Sequence, residues 1–181
     1  MLLLALRTLA FVIVLPAAVL VYIPNRILAA NLGLPSFGLG WFKLAGWVPI
    51  ALGMAVLVWC WVGFAAEGRG TPAPYDPPRQ LVTGRLYQWV RNPMYIGLVI
   101  VLLGESVAFQ SLALLVYAGV VWLGCHLFVV LYEEPALYRR FGATYDAYRR
   151  QVPRWLPRLR RSGTGRGDQG PRRRPPAQTS S

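Results

Sequence analysis

From Leu44 to Ala66 the chain runs for 23 residues without a charged side chain. About 20 apolar residues suffice for a helix to cross the hydrocarbon core of a bilayer, and few soluble folds can bury such a run on every face. Three further runs follow the same pattern. Leu2 to Ile23 is apolar apart from Arg7 and Thr8, with a kink expected at Pro16. Met94 to Phe109 carries Glu105 near its far end, and Leu112 to Tyr132 carries His126. Only Gln110 and Ser111 separate these last two, so they read as a tight helical hairpin. The expected fold class is all-α, an integral membrane helical bundle of about four transmembrane helices with a C-terminal helix on the cytosolic side.

Composition agrees. Of 181 residues 55% are hydrophobic and 14% charged, the mean hydropathy is +0.42, and the net charge is +12. A soluble globule carries more charge, and a disordered chain carries fewer aromatics. Twelve arginines lie between Arg139 and the C-terminus, against Asp146 and Asp168. Arg69, Arg79, Arg85 and Arg91 crowd one inter-helix segment, whereas the first loop holds Arg26 and Lys43. The positive-inside rule then places both termini in the cytosol, in the cytoplasmic (inner) membrane. A cleaved leader ending near Ala29–Ala30 fits less well, because its charge follows the first apolar residues and its apolar stretch is too long. Residues 162–181 read as a disordered basic tail, solvated rather than bound to nucleic acid, behind a single domain of residues 1–161. No obligate protein partner is implied. Cys60 and Cys125 lie in apolar runs and there is one histidine, so no metal site is expected.

Polar residues cluster in two places. In the stretch from Leu81 to Gly97, Gly84 permits a turn, Pro93 suits a first helical position, and Asn92 becomes the N-cap. Free N–H groups at such a helix start favour a carboxylate or phosphate, with Arg85 and Arg91 adding charge. Tyr87, Trp89 and Tyr95 either stack on a flat ligand or form an interfacial aromatic belt.

The second cluster runs from Leu131 to Tyr148. Glu133 and Glu134 are neighbours whose side chains point about 100° apart on a helix, so they cannot share one task. One can face the bundle while the other turns toward Arg85, Arg91 or Arg139; a helix-end ion pair is the plainer alternative. His126 precedes Glu133 by seven residues and so shares its helix face. Beyond Tyr132 a cytosolic helix is expected over Glu133–Gln151, with Leu137, Phe141, Tyr145 and Tyr148 as a stripe against the bilayer or the bundle. Pro153 and Pro157 end it. Glu105 is assigned no chemistry.

Arg91-Asn-Pro-Met-Tyr-Ile-Gly97, preceded by Leu81-Val-Thr-Gly84 and Tyr87, resembles the Arg-His-Pro-x-Tyr-x-Gly signature of the isoprenylcysteine carboxyl methyltransferase family. The Glu133–Glu134 pair, Phe141-Gly142, Tyr145, Tyr148 and Val152-Pro153-Arg154 resemble its C-terminal signature, so the likeness covers residues 75–157. It implies an integral membrane methyltransferase that uses S-adenosylmethionine and takes a lipophilic or lipid substrate from the bilayer. The cofactor pocket it implies comprises Arg79, Gln80, Leu81, Val82, Tyr87, Asn92, Pro93, Met94, Tyr95 and Glu133, flanked by Arg91 and Glu134. Asn92 stands where the signature has His. Val129 stands where the prenylcysteine enzymes place a substrate-binding Arg, leaving Arg154 or another cytosolic Arg as the substitute and His126 as a candidate base for a neutral nucleophile. Membrane sterol reductases, which use a nicotinamide cofactor, share a similar hairpin, and a non-catalytic protein of the same fold is the third reading.

Overall fold

The computed structural model describes residues 14–30, 32–36, 38, 40–67 and 84–157. The expectations for residues 1–13, the pocket residues Arg79, Gln80, Leu81 and Val82, and the tail after residue 157 lie outside the described residues. Among the described residues the fold is all-α. Helix α1 spans Val14–Ala29. A 3-10 helix, Gly40–Gly46, leads into α2, Trp47–Glu67. A second 3-10 turn, Arg85–Gln88, precedes α3, Pro93–Ala108. Helix α4 runs over Leu112–Phe141 and α5 over Ala143–Gln151.

Two of these helical stretches, Gly40–Gly63 and Leu112–Phe141, are long and apolar enough to cross a membrane, and α1 and α3 are shorter apolar helices. Only 22% and 17% of the long helices' most apolar stretches are buried inside the bundle. Trp47, Trp59, Val120 and Leu131, among others, face outward. Water does not tolerate so large an apolar surface, whereas lipid does. The bundle is therefore that of a multi-pass membrane protein.

Lipid gives helices no hydrophobic reason to associate, so close packing must hold the bundle together. The seam between α2 and α3 shows how. Gly46 and Gly53 lie seven residues apart on one side, and Gly97 and Gly104 seven apart on the other, so each pair stays on one helix face. A Cβ on Gly53 would stand 2.6 Å from the carbonyl oxygen of Gly97, and one on Gly104 would stand 2.8 Å from that of Gly46. The two backbones touch at these points. Beside the seam, Leu20, Leu57, Val101, Leu102 and Ala118 form the buried core. Tyr117 of α4 donates to the Val19 carbonyl of α1 at 3.0 Å, which ties the first helix in.

Three local features differ from expectation, each for a backbone reason. First, α1 passes through Pro16 as helix and widens into a π turn at Ala18–Tyr22, where Ile23 N–H reaches back to Ala18 O. Pro24 follows; it has no N–H for the usual bond, and its ring crowds the carbonyl four residues back. Second, no boundary follows Tyr132. The same device recurs at Val129–Glu133, where Glu134 N–H bonds Val129 O just before Pro135, and the helix continues to Phe141. The expected Glu133–Gln151 helix is instead divided at Gly142, whose φ of +50° disfavours any side chain. Third, the left-handed residue before α3 is Arg85, φ +54°, and Gly84 is extended. The α3–α4 connection is as short as expected, with the Ser111 hydroxyl capping α4 through Leu114 N–H at 3.3 Å.

Gly53→Ala is expected to lower stability by about 1–3 kcal/mol, the scale of overpacking a tight interface. Gly119→Ala, where a Cβ meets nothing within 4 Å, should be neutral or stabilising by up to ~1 kcal/mol. Thermal unfolding of both variants in detergent checks this; equal effects would refute the seam.

Candidate functional site

The polar groups of this chain converge where the start of α3, the π turn of α4 and the segment after α5 meet. Backbone bonds set the frame. Arg91 N–H donates to Pro153 O at 2.9 Å. The Tyr148 hydroxyl donates to Tyr87 O at 2.6 Å. The Asn92 side-chain amide donates to Arg154 O at 3.3 Å. Asn92 is thus no side-chain N-cap, contrary to expectation. It is buried, and it satisfies a carbonyl of the crossing segment instead. Pro93 does occupy the first turn of α3, and Met94 packs against the core.

Across this frame lies an ion-pair latch. Glu134 accepts from Arg91 Nη1 at 2.8 Å and from Arg154 Nε at 2.7 Å and Nη2 at 2.9 Å. The Arg91 and Glu134 side chains are only 13% and 14% exposed, so solvent screens this pair little. The carboxylate raises the Arg154 pKa above its ordinary value. Arg91 Nη1 also reaches the hydroxyl of buried Tyr145 at 3.4 Å. Arg154 is therefore engaged by a protein carboxylate through two nitrogens, and a substrate would have to displace Glu134 to use it.

Glu133 has the opposite environment. Its Oε2 accepts from the Tyr95 hydroxyl at 3.2 Å, and no ion pair among the described residues reaches it. Tyr87 and Tyr95 both lie within electrostatic reach of the carboxylate. Arg91 Nε is buried with no hydrogen-bond partner among the described residues. One neighbouring glutamate is thus doubly neutralised, while the other faces the hydroxyl of Tyr95. Trp89 stays outside this group, exposed as a belt residue would be.

His126 does not share Glu133's surroundings. The π turn adds one residue between them, so the face of Glu133 is shared by Cys125, which lies within electrostatic reach of both Glu133 and Tyr95. His126 instead accepts from Trp155 Nε1 at 3.1 Å through Nδ1. With Nδ1 occupied, the neutral ring carries its proton on Nε2 and offers a donor there. Use of His126 as a base would require Trp155 to let go.

Sequence reasoning missed Cys125, Trp155 and the side-chain hydrogen bond between Tyr87 and Cys60 of α2. Pro135 was the available signal for Cys125, because a proline inside a helical run forces the register change. Nothing local marks Trp155, which is placed by the latch on its neighbour Arg154.

The profile of the phospholipid methyltransferase family matches residues 41–144, more than half of the chain, and covers α2, α3 and α4. The chain belongs to that family. It is a family of S-adenosylmethionine-dependent methyltransferases rather than the isoprenylcysteine enzymes in particular. A methanethiol S-methyltransferase of Crocosphaera subtropica is 35% identical over 80 residues, 44% of this chain and 30% of the relative. Methanethiol S-methyltransferase 2 of Bradyrhizobium diazoefficiens is 34% identical over 77 residues, 42% of this chain and 29% of the relative. The matches thus span about three-tenths of the length of these curated relatives. No solved structure matches the chain.

The latch yields its own expectation. Glu134→Ala leaves two guanidinium groups facing each other and should destabilise the protein by about 3 kcal/mol, the cost of breaking a buried pair from one side. Limited proteolysis at Arg154 should accelerate with it. A variant as stable and as resistant as the parent would show that the latch is decorative.

Proposed function

We propose that this chain is an integral membrane methyltransferase that uses S-adenosylmethionine to methylate a lipophilic or membrane-partitioning small acceptor at the cytosolic interface. The observation that carries the reading is the unequal treatment of the two glutamates. Glu134 is consumed by Arg91 and Arg154, which leaves the Glu133 carboxylate without an ion-pair partner among the described residues and the Arg91 Nε–H without an acceptor there. Such a pair suits a zwitterion. The methionyl end of S-adenosylmethionine has an ammonium for Glu133 and a carboxylate for Arg91, and Tyr87 and Tyr95 offer apolar walls. When bound, the cofactor supplies a methyl group on a sulfonium, an electrophile that needs no acid to activate it.

The protein's own part is then binding, alignment and exclusion of water. Glu133 and Arg91 fix the amino-acid end; the segment 152–155, held across the start of α3, closes the site toward solvent. No strong acid or base is needed, which fits the scarcity of titratable side chains. Topologically, the Arg-rich segment before α3 and the Arg-rich C-terminus belong together on the cytosolic side, at the same membrane level as this cluster.

A thiol acceptor is favoured over a prenylcysteine carboxylate by two observations. The relatives that share this region are named methanethiol S-methyltransferases. Val129, at the position of the prenylcysteine enzymes' substrate arginine, is 1% exposed and belongs to the protein interior. The family match also favours methyl transfer over nicotinamide-dependent reduction.

Calorimetry with S-adenosylmethionine and S-adenosylhomocysteine on detergent-purified protein tests the reading. Saturable binding is expected, weakened by about 1.5–3 kcal/mol in Glu133→Gln, the scale of a charge-assisted hydrogen bond. No binding to folded protein would sink the proposal; unchanged binding in the variant would remove Glu133 from the pocket.

A further inference from the structure

The outward face of α2 carries a groove of about 570 Å³ that the polar cluster does not use. Ala51, Met54, Ala55, Val58, Trp59 and Val62 line it at spacings of three and four residues, so it follows one face of the helix. The short side chains of Ala51 and Ala55 leave room between the larger ones, and Met54, Val58, Trp59 and Val62 are all exposed. From Ala51 to Val62 the helix rises about 16 Å, close to half of the roughly 30 Å hydrocarbon thickness of a bilayer. At the Val62 end lies Arg85, the one charged side chain among the described residues that line the groove. A Cβ on Gly63 would meet Arg85 Cδ at 3.7 Å and Nη1 at 3.8 Å, so the guanidinium rests against α2 beside Val62.

The backbone of Arg85 adds a second observation. Its φ of +54° is left-handed, a region that side chains disfavour, although the neighbouring Gly84 could have taken that turn without strain. The turn it opens, Arg85–Gln88, is fixed through Tyr87, whose carbonyl accepts from the Tyr148 hydroxyl at 2.6 Å. We propose that the groove is a binding site for one phospholipid of net negative charge, with an acyl chain along α2 from Val62 to Ala51 and the headgroup phosphate on Arg85. The apolar length suits a chain of one leaflet, and the cation stands at the end where the headgroup would lie. A guanidinium has five N–H donors in a planar fork, so Arg85 can hold a phosphate and keep its contacts within the protein. A zwitterionic headgroup would bring an ammonium as well, and no carboxylate among the described lining residues could accept it. The lipid is a resident of the outward face of α2 and not the methyl acceptor, so this inference stands apart from the methyl-transfer reading.

Native mass spectrometry of the full chain released from detergent micelles tests the site, with dioleoyl phosphatidylglycerol and dioleoyl phosphatidylcholine supplied in equal amounts. The expected result is one phosphatidylglycerol retained per protein in preference to phosphatidylcholine. Arg85→Gln should weaken retention roughly tenfold, the loss of a charge-assisted hydrogen bond. Ala55→Trp fills the groove from an exposed position and should abolish retention while thermal unfolding stays unchanged. Arg139→Gln, which removes an exposed cation outside the groove, should leave retention as it is. Inorganic phosphate, which has the charge and no chain, should not displace the lipid.

Equal retention of the two lipids, or an equal loss in Arg139→Gln, would reduce the effect to general surface charge and overturn the site. Retention that survives Ala55→Trp would put the lipid elsewhere on the protein. Displacement by inorganic phosphate would leave an anion contact without a chain site, and a dimer that Ala55→Trp separates would give the groove to a second copy; either result overturns the proposal. Ala55→Trp leaves the Arg85 turn untouched, so it decides the question even where Arg85→Gln fails to fold.

Discussion

The Glu134 carboxylate is the point on which the polar half of this molecule is organised. A charge taken out of water is costly unless opposite charge and hydrogen bonds surround it, and Glu134 has three donors from two arginines far apart in sequence. Arg91 precedes α3 and Arg154 follows α5, so the carboxylate of α4 fastens both ends of the segment between them. Once Glu134 points toward the arginines, its neighbour Glu133 must point elsewhere, and the direction left is toward Tyr95 inside the bundle. One ion-pair network therefore decides which glutamate holds the two arginines and which turns to Tyr95.

That network needs a fixed scaffold, and the glycine seam provides it. The touching backbones of α2 and α3 at Gly53–Gly97 and Gly46–Gly104 set the position of α3, and with it Arg91 and Tyr95 at its start. Between bundle and latch sits the π turn of Val129–Glu133. It keeps α4 continuous through Pro135 while shifting its register by one residue, so that Cys125 and not His126 shares the environment of Glu133. Widened turns of this kind concentrate at functional sites because they reorient side chains without ending a helix. Here the turn separates two candidate chemistries, a carboxylate facing inward and a histidine held by aromatic rings.

Much of this was legible in the chain itself. The apolar runs announced the helices, since a bilayer-length stretch free of charge has few other uses, and Pro93 and the Gln110–Ser111 break marked helix ends through local backbone chemistry. Tyr87, Arg91, Tyr95 and the glutamate pair stood out because polar side chains are expensive beside lipid. The misreadings arose where distant contacts competed with local rules. Asn92 has the composition of an N-cap, yet the buried carbonyl of Arg154 claimed its amide. His126 and Glu133 share a face on an ideal helix, yet Pro135 broke the ideal spacing.

The sequence by itself determined that this is a helical, membrane-embedded chain with its polar groups gathered near one membrane face. Those properties follow from transfer free energies and local backbone geometry, which each segment carries alone. Only the tertiary structure decided the division of labour between Glu133 and Glu134, the engagement of Arg154, and the tautomer of His126. Each depends on which side chain arrives from a segment tens of residues away, and at a low dielectric the identity of that partner outweighs every local preference.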